Sequence, residues 1–461
     1  MTNDSLQQID RAICGDIWAS PAAKRTLEAL CQDCGHRFAG SDSDRRARDL
    51  MLRLWRDYGL SNVHSEEFPL AVWERGTAAA TMSAPAARSY PCIALPYAPT
   101  CDLDAEVIDL GYGMEADISQ AGQAVHGKIA LVQNGAPPGP GRPAHRLEKY
   151  LRAKAAGAVG FLFMDNEPGM LAPTGSLAFD QNGALDQALP SAGIAHEAGM
   201  DIRHWMGRGT VKMHLRLENS IRRGTSSNIV GEIPGQDAGN GAVLMFGAHI
   251  DGHDIAQAAN DNASGVVVIS EVARVLAAQR QHVPSTLRFV CFGGEELGLL
   301  GSYAYASQHR EEMGRIKFMF NLDVVGGSGT IGFMTQNASE LVPYFTRMAS
   351  DLAVEMTARE MMIPFSDHFP FVLQGVPAAF IACGDGGSSK RGWGHTAADT
   401  LEKVNVQTIR LAAALTARLA LRLANEVAPW PSRQRTADEV KIALQAQGLE
   451  PFMRLEGKWP F

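Results

Sequence analysis

The chain has 461 residues, of which 46% are hydrophobic and 20% are charged, and its formal net charge is -8. This composition is typical of a soluble globular protein, and the length favours two domains or more. The negative charge argues against nucleic acid as a partner, and no uninterrupted apolar stretch is long enough to make the membrane a partner.

Two features of the sequence, its first residues and its cysteines, indicate the cellular compartment. Residues 1–10 contain neither the basic start nor the apolar core of a secretory signal. The seven cysteines are odd in number and scattered along the chain, which is typical of free thiols in a reducing environment. The sequence therefore predicts a cytoplasmic protein.

The N-terminal part of the chain reads as helical over about residues 17–60. From about residue 17 to 60, apolar residues recur at helical spacing on both sides of a turn at residues 40–43. Residues 63–68 then alternate between apolar and polar side chains, which predicts a strand.

Residues 81–216 have a different character. Short apolar runs at 106–110, 127–132 and 157–164 alternate with glycine and proline, and a helical segment at 147–156 precedes the last run. This pattern predicts a smaller, β-rich α/β module with its own core.

A third pattern fills residues 217–425, where apolar strands alternate with amphipathic helices. It predicts an α/β fold with a mixed, mostly parallel sheet sandwiched by helices. The predicted strands are 242–248, 286–292, 316–322 and 377–382, and the predicted helices are 264–278 and 406–425. Residues 426–461 form a C-terminal extension to which the sequence assigns no role.

Two adjacent glutamates, Glu295 and Glu296, follow the second of these strands. Neighbouring carboxylates repel, so a fold tolerates them at a strand end when a cation compensates one of them. One glutamate then ligates a metal ion, and the other accepts a proton from the attacking water. The structural alternative is a solvated pair on the surface.

Four more candidate ligands lie at or just beyond the ends of strands or in the loops that follow, where an open α/β sheet places its site. They are His249, Asp261, Asp323 and His395. With one glutamate they suit two zinc ions that share a carboxylate. Each has a structural alternative, such as a helix cap for Asp261 or a turn for Asp323. Their coincidence in one domain favours the metal site.

These residues lie in motifs that resemble those of the M28 family of metallopeptidases, the di-zinc aminopeptidases and carboxypeptidases. The motifs, in the family's order, are AHID (248–251), NDNASG (260–265), GEELGLLGS (294–302), NLD (321–323), SDHFPF (366–371) and HTAADT (395–400). Residues 127–132 and 149–160 resemble the protease-associated (PA) domain that is often inserted into these enzymes. The turn at residues 40 and 41 resembles the family's opening. The resemblance therefore implies a catalytic domain of residues 1–80 and 217–425, interrupted by an insert at 81–216.

The resemblance also implies a ligand set for two zinc ions per chain. In this set His249 and Asp323 hold one zinc ion, and Glu296 and His395 hold the other. Asp261 bridges the two ions.

Further residues receive roles from the same resemblance. Glu295 is the general base, and Asp251 orients the imidazole of the first ligand. His368 either contacts the substrate or is structural, and Asp399 either orients the last histidine or caps a helix. His253, a departure from the family pattern, is expected at the rim of the site.

The predicted function is hydrolysis of an amide bond in a short peptide, by an aminopeptidase or a dipeptidase. One alternative is a carboxypeptidase or amidohydrolase acting on N-acyl amino acids or another amide, with Arg391 pairing with a substrate carboxylate. Another is a catalytically inactive binding protein with a peptidase fold. Glutaminyl cyclases share a motif like residues 367–371 but use one zinc, so a metal count separates them. The sequence does not determine the oligomeric state, and a homo-oligomer is one possibility.

Overall fold

The protein is described by a computed structural model that covers residues 3–139, 142–177, 188–236, 241–384, 392–426 and 430–461. It divides into two compact units. The first comprises Met1–Pro69, Thr225–Gly394 and Asp399–Gln447. The second comprises Leu70–Gly224, His395–Ala398 and Gly448–Phe461.

Helices and strands alternate along most of the chain. The helices are α1 (Asn3–Ala19), α2 (Ala22–Glu28), α3 (Asp42–Asp57), α4 (Glu115–Ala121), α5 (Arg146–Ala155), α6 (His196–Met206), α7 (Ser264–Ala278), α8 (Leu300–Gln308), α9 (Leu341–Asp351), α10 (Phe369–Leu373), α11 (Val406–Ala424), α12 (Ala437–Ala446) and α13 (Glu450–Leu455). The strands are β1 (Ser61–Ala84), β2 (Arg88–Tyr90), β3 (Cys92–Ala94), β4 (Cys101–Asp109), β5 (Ile129–Gln133), β6 (Gly160–Met164), β7 (Ser191–Ile194), β8 (Lys212–Ile233), β9 (Val243–His249), β10 (Thr286–Phe292), β11 (Ile316–Leu322), β12 (Ile331–Gln336), β13 (Met356–Glu360) and β14 (Ala378–Cys383).

The first unit is built on a mixed sheet with the order β13-β12-β14-β11-β9-β10-β8. Strands β14, β11, β9 and β10 run parallel, whereas β12 is antiparallel to β14 and residues 229–233 of β8 are antiparallel to β10. The prediction of a mixed, mostly parallel sheet is confirmed.

Both faces of this sheet are buried. Leu244 and Phe246 of β9 face a core shared with α1, α7 and α11, whereas Met245 faces a second core that contains Tyr305 of α8 and Phe371 of α10. A strand covered on both faces has no polar positions to alternate with, which is why β9 to β11 read as continuous apolar runs. The prediction of a sheet sandwiched by helices is confirmed as well.

The register of the sheet brings several strand ends to one edge. Phe292, the last residue of β10, pairs with His249, the last residue of β9. On the other side of β9, Asn321 of β11 pairs with Gly247. The residues that follow these three strands therefore emerge side by side.

The second unit has its own sheet, in which β4, β5, β6 and β7 are parallel neighbours. Strand β3 is antiparallel to β7, and residues 212–217 of β8 are antiparallel to β4. Helix α5 contacts α4 and α13. The prediction of a smaller β-rich α/β insert is confirmed.

The predicted domain limits differ from the divisions between the compact units. The limits at residues 81 and 216 fall inside β1 and β8, which continue past them without a break in the strand, and the units divide after Pro69 and after Gly224. The C-terminal residues 426–461, predicted as one extension, are split after Gln447, because α13 packs on α5 of the second unit.

The first helix of the chain was not expected. It begins at Asn3, well before the helical pattern noted from residue 17. Its apolar face consists of little more than Ile9, Ile13 and Ile17, each buried and four residues from the next. Such a narrow stripe in a polar segment is easily missed. None of the helices in the described residues is long and apolar enough to cross a membrane.

Candidate active site

The site begins with His249 at the end of β9, whose side chain is buried. Its Nδ1 lies 3.1 Å from the carbonyl oxygen of Asp251, so Nδ1–H donates to that carbonyl. Its Nε2 lies 3.2 Å from Oδ1 of Asp261 and 3.3 Å from Oδ1 of Asp323. A nitrogen fixed in this way between two carboxylates has the arrangement of a metal ligand.

The carboxylate of Asp251 holds the turn that carries Glu295 and Glu296 in place through two hydrogen bonds. Its Oδ1 accepts a hydrogen bond from the backbone N–H of Glu295 at 3.1 Å, and its Oδ2 accepts one from Glu296 at 3.2 Å. The carboxylate is fully buried, and burial raises its pKa. The sequence predicts that this carboxylate orients His249, but it lies 3.8 Å from Nδ1, and its nearer partners are the two N–H groups.

Asp323 is held by a short chain of hydrogen bonds. Its Oδ2 accepts from the hydroxyl of Ser366 at 2.7 Å, and that hydroxyl accepts from Nδ2 of Asn321 at 2.8 Å. The second oxygen of the carboxylate is thereby turned toward His249. The NLD and SDHFPF motifs thus cooperate in placing one side chain.

Asp261 lies in a bent segment before α7, and Asp399 holds this segment. The carboxylate of Asp399 accepts from the backbone N–H of Asn260 at 2.8 Å and from that of Asp261 at 3.0 Å. Burial, reinforced by the charge of Asp261, raises the pKa of Asp399 to about 6. Asp399 therefore acts on the loop of another candidate ligand.

His253 is expected at the rim of the site, but the structure places it in the interior. It is buried, and its Nε2 lies 2.9 Å from Oε2 of Glu296. The tight turn at Gly252 makes this placement possible, because a Cβ there would lie 2.1 Å from the Cβ of Ala258. The signal in the sequence was a histidine two residues after Asp251, next to a glycine.

The electrostatics of the site call for a cation. Burial raises the pKa of Glu295 and of Glu296 well above the usual value, and neighbouring carboxylates add to both effects. Burial opposes protonation of His249, but Glu295 and Asp323 outweigh it and raise the pKa of His249 well above its usual value. The carboxylates that influence one another are Asp251, Asp261, Glu295, Glu296, Asp323, Asp367 and Asp399.

Zinc fits this group of side chains. Ligand atoms of His249, Glu295 and Asp323 lie within 4.8 Å of one another. Imidazole and carboxylate are ligands that zinc accepts, and a divalent cation would compensate the surplus of negative charge.

Asp367 of the SDHFPF motif was not predicted as a site residue. Its carboxyl group is fully buried, and burial raises its pKa to about 7.

Two predicted histidines have other surroundings. His368 is fully buried, its Nε2 lies 2.9 Å from the carbonyl oxygen of Ile363, and burial lowers its pKa to about 3. This placement favours the structural alternative. His395 belongs to the second unit, where its carbonyl accepts from the N–H of Thr174 at 2.8 Å. Its ligand role stays a prediction, and Arg391 lies outside the described residues.

A buried histidine and carboxylate cluster at the carboxyl edge of a mostly parallel sheet fits the class of metal-dependent hydrolases. Comparison with known proteins agrees. Residues 228–420 match peptidase family M28, and residues 92–202 match the PA domain. Aminopeptidase YwaD of Bacillus subtilis (strain 168) is 29% identical over 408 residues, which are 85% of this chain and 82% of that protein. Leucine aminopeptidase 2 of Arthroderma otae is 27% identical over 377 residues, 74% of this chain and 71% of that protein.

Two solved structures are similar over most of the chain. A peptidase M28 precursor from Shewanella amazonensis has a TM-score of 0.78 and 25% identity, covering 94% of this chain and 99% of its own. The zinc aminopeptidase BSAP from Bacillus subtilis has a TM-score of 0.67 and 26% identity, covering 86% and 94%. Residues 228–420 are therefore a peptidase family M28 domain, as their motifs indicated, and the chain is a zinc-dependent hydrolase with a PA domain at residues 92–202.

Proposed function

We propose that this protein is a zinc aminopeptidase that removes residues from the free N-terminus of short peptides. The observation that carries the proposal is the buried Nε2 of His249 between two carboxylates, beside the pair Glu295 and Glu296. The names of the relatives, aminopeptidase and leucine aminopeptidase, support this specificity over the carboxypeptidase and amidohydrolase alternatives.

Two zinc ions per chain are part of the proposal. His249 and Asp323 would hold one ion and Glu296 the other, with Asp261 shared between them. When bound, zinc would supply Lewis-acid activation of the attacking water and of the scissile carbonyl. His395 is proposed as the remaining ligand on the strength of its motif alone.

Glu295 is proposed to move the proton. Its backbone N–H is fixed by Asp251, which sets the direction of the side chain. Its raised pKa suits a group that accepts a proton from water and then gives it to the leaving amine. A carboxylate with its usual pKa would be a weaker base and would accept that proton from water less readily.

A substrate panel tests the proposal. Leucine 4-nitroanilide and a free dipeptide should be hydrolysed by the zinc-loaded protein, and their N-acetylated counterparts should not. Preference for N-acylated substrates with a free carboxylate would support the carboxypeptidase or amidohydrolase alternative. Absence of turnover by protein with its full zinc content would support the inactive binding protein.

The compartment and the oligomeric state stay predictions from the sequence. All seven cysteines are free in the structure, which supports a reducing environment. Fractionation of the native host cell and sedimentation of the purified protein would test the cytoplasmic location and the homo-oligomer.

A further inference from the structure

Arg37, between the first helices and α3, is fully buried. In the part of the chain that the structure describes, its side chain donates hydrogen bonds only to main-chain carbonyls. The acceptors are Leu30 at 3.2 Å, Gly35 at 2.6 Å, Ile250 at 2.8 Å, Gln257 at 2.8 Å and Ala258 at 2.7 Å. Burying a charge costs free energy unless hydrogen bonds compensate it. The five carbonyls provide this compensation for the guanidinium, so the backbone segments that carry them are held to Arg37.

Three of these carbonyls belong to the connection between β9 and α7, residues 250–263, which begins after His249 and carries Asp261 near its end. Ile250 stands between His249 and Asp251, and Nε of Arg37 donates to its carbonyl. Gln257 and Ala258 immediately precede the bent segment that carries Asp261. One planar side chain therefore joins the first part of this connection, here called the His249 loop, to its last part, here called the Asp261 loop.

A second contact shows how closely these loops fit. A Cβ at Gly252 would lie 2.1 Å from Cβ of Ala258, 3.2 Å from the carbonyl oxygen of His36 and 3.3 Å from that of Asp261. The backbone next to Arg37 and both loops of the site thus meet at one point. A shift of either loop would require the guanidinium to release at least one acceptor.

We propose that Arg37 is a positioning residue of the zinc site, which fixes the His249 loop against the Asp261 loop before metal binds. This inference rests on the proposed zinc site but not on the aminopeptidase specificity. Lysine cannot replace Arg37 in this role, because its three donors diverge from one nitrogen and cannot reach carbonyls on both loops.

Hydrogen exchange of the zinc-free protein and zinc titration test the proposal together. In Arg37→Lys and Arg37→Met we expect amide exchange in peptides covering residues 250–262 to quicken about tenfold or more, while exchange in α11 is unchanged. Zinc affinity should fall about 10- to 100-fold, the range found when residues that orient ligands are lost. Because hydrogen exchange is measured without zinc, it still shows whether Arg37 holds the two loops together even if the assignment of the metal ligands is wrong.

Arg422→Lys is the matched control. Arg422 also makes a paired contact, with Nη1 and Nη2 3.0 Å and 2.7 Å from the carboxylate of Asp10, but it touches neither loop. Its variant should keep the exchange of residues 250–262 and the zinc affinity. Folded Arg37 variants with wild-type exchange and affinity would overturn the proposal. Failure of both variants to fold, even with zinc, would overturn it too, because Arg37 would then serve the whole fold.

Discussion

Replacing Asp251 by asparagine should damage the site more than the fold. Asparagine has nearly the same shape, but only one of its terminal atoms accepts hydrogen bonds. Asp251 now accepts from the N–H groups of both Glu295 and Glu296. In the variant one of these N–H groups faces the amide NH₂, so the turn that carries the two glutamates must shift or leave a buried donor unpaired.

The size of the effect follows from these contacts. An unpaired buried N–H costs roughly 1–3 kcal/mol, which corresponds to a factor of about 5 to 150 in an equilibrium constant. Part of this cost is offset in the fold, because burial already raises the pKa of Asp251 and the variant removes that buried charge. We therefore expect a small change in Tm but a loss of about 10- to 100-fold in zinc affinity and in kcat/KM.

The assay compares Asp251→Asn with Glu197→Gln. The carboxylate of Glu197 likewise accepts two consecutive N–H groups, those of Gly169 at 2.7 Å and Met170 at 3.1 Å, but in the second unit. Zinc affinity is measured by competition with a chelating dye, and turnover with leucine 4-nitroanilide. If Asp251→Asn matched the wild type within twofold in both, the turn would not depend on this carboxylate and the reasoning would be refuted.

Three other predictions concern the metal and its neighbours. Glu295→Gln should keep zinc but lose about 100- to 10,000-fold in turnover, whereas Glu296→Gln should weaken zinc binding; the reverse would exchange base and ligand. Dialysis against a chelator should abolish hydrolysis, and re-addition of zinc should restore it with two ions per chain by elemental analysis; a limit of one ion would contradict the shared site. His253→Ala should weaken the zinc ion next to Glu296 about tenfold or more; unchanged binding of both ions would show that His253 is only a neighbour.

The central sheet was predictable from the sequence because its strands are covered on both sides. The predicted limits of β10 and β11 agree with the structure to the residue, and α7 agrees as well. Of the long strands, β1 was predicted only at residues 63–68, and β8 was not predicted. Their exposed stretches are polar and charged, so no apolar pattern marks how far they extend.

The sequence could single out His249, Asp261 and Asp323, which the structure brings together, because each lies in a specific motif at a strand end or before a helix. The supporting contacts could not be predicted, since they join residues far apart in sequence. Arg37 lies more than 200 residues before the carbonyls of Ile250 and Ala258 that it binds. A lone arginine two residues after a glycine gives no sign of its partners. His253 reads equally well as a surface residue until the turn at Gly252 is known.

The dispersal of the site along the chain determines when zinc can act on folding. His249, Glu296 and Asp323 follow three different strands, and only strand pairing brings those strand ends together. An unfolded chain therefore offers scattered single ligands, and zinc binds almost only to the native state. A free zinc concentration 1,000 times the dissociation constant would then stabilise the folded protein by about 4 kcal/mol, so metal supply sets the resistance of the enzyme to unfolding as well as its activity.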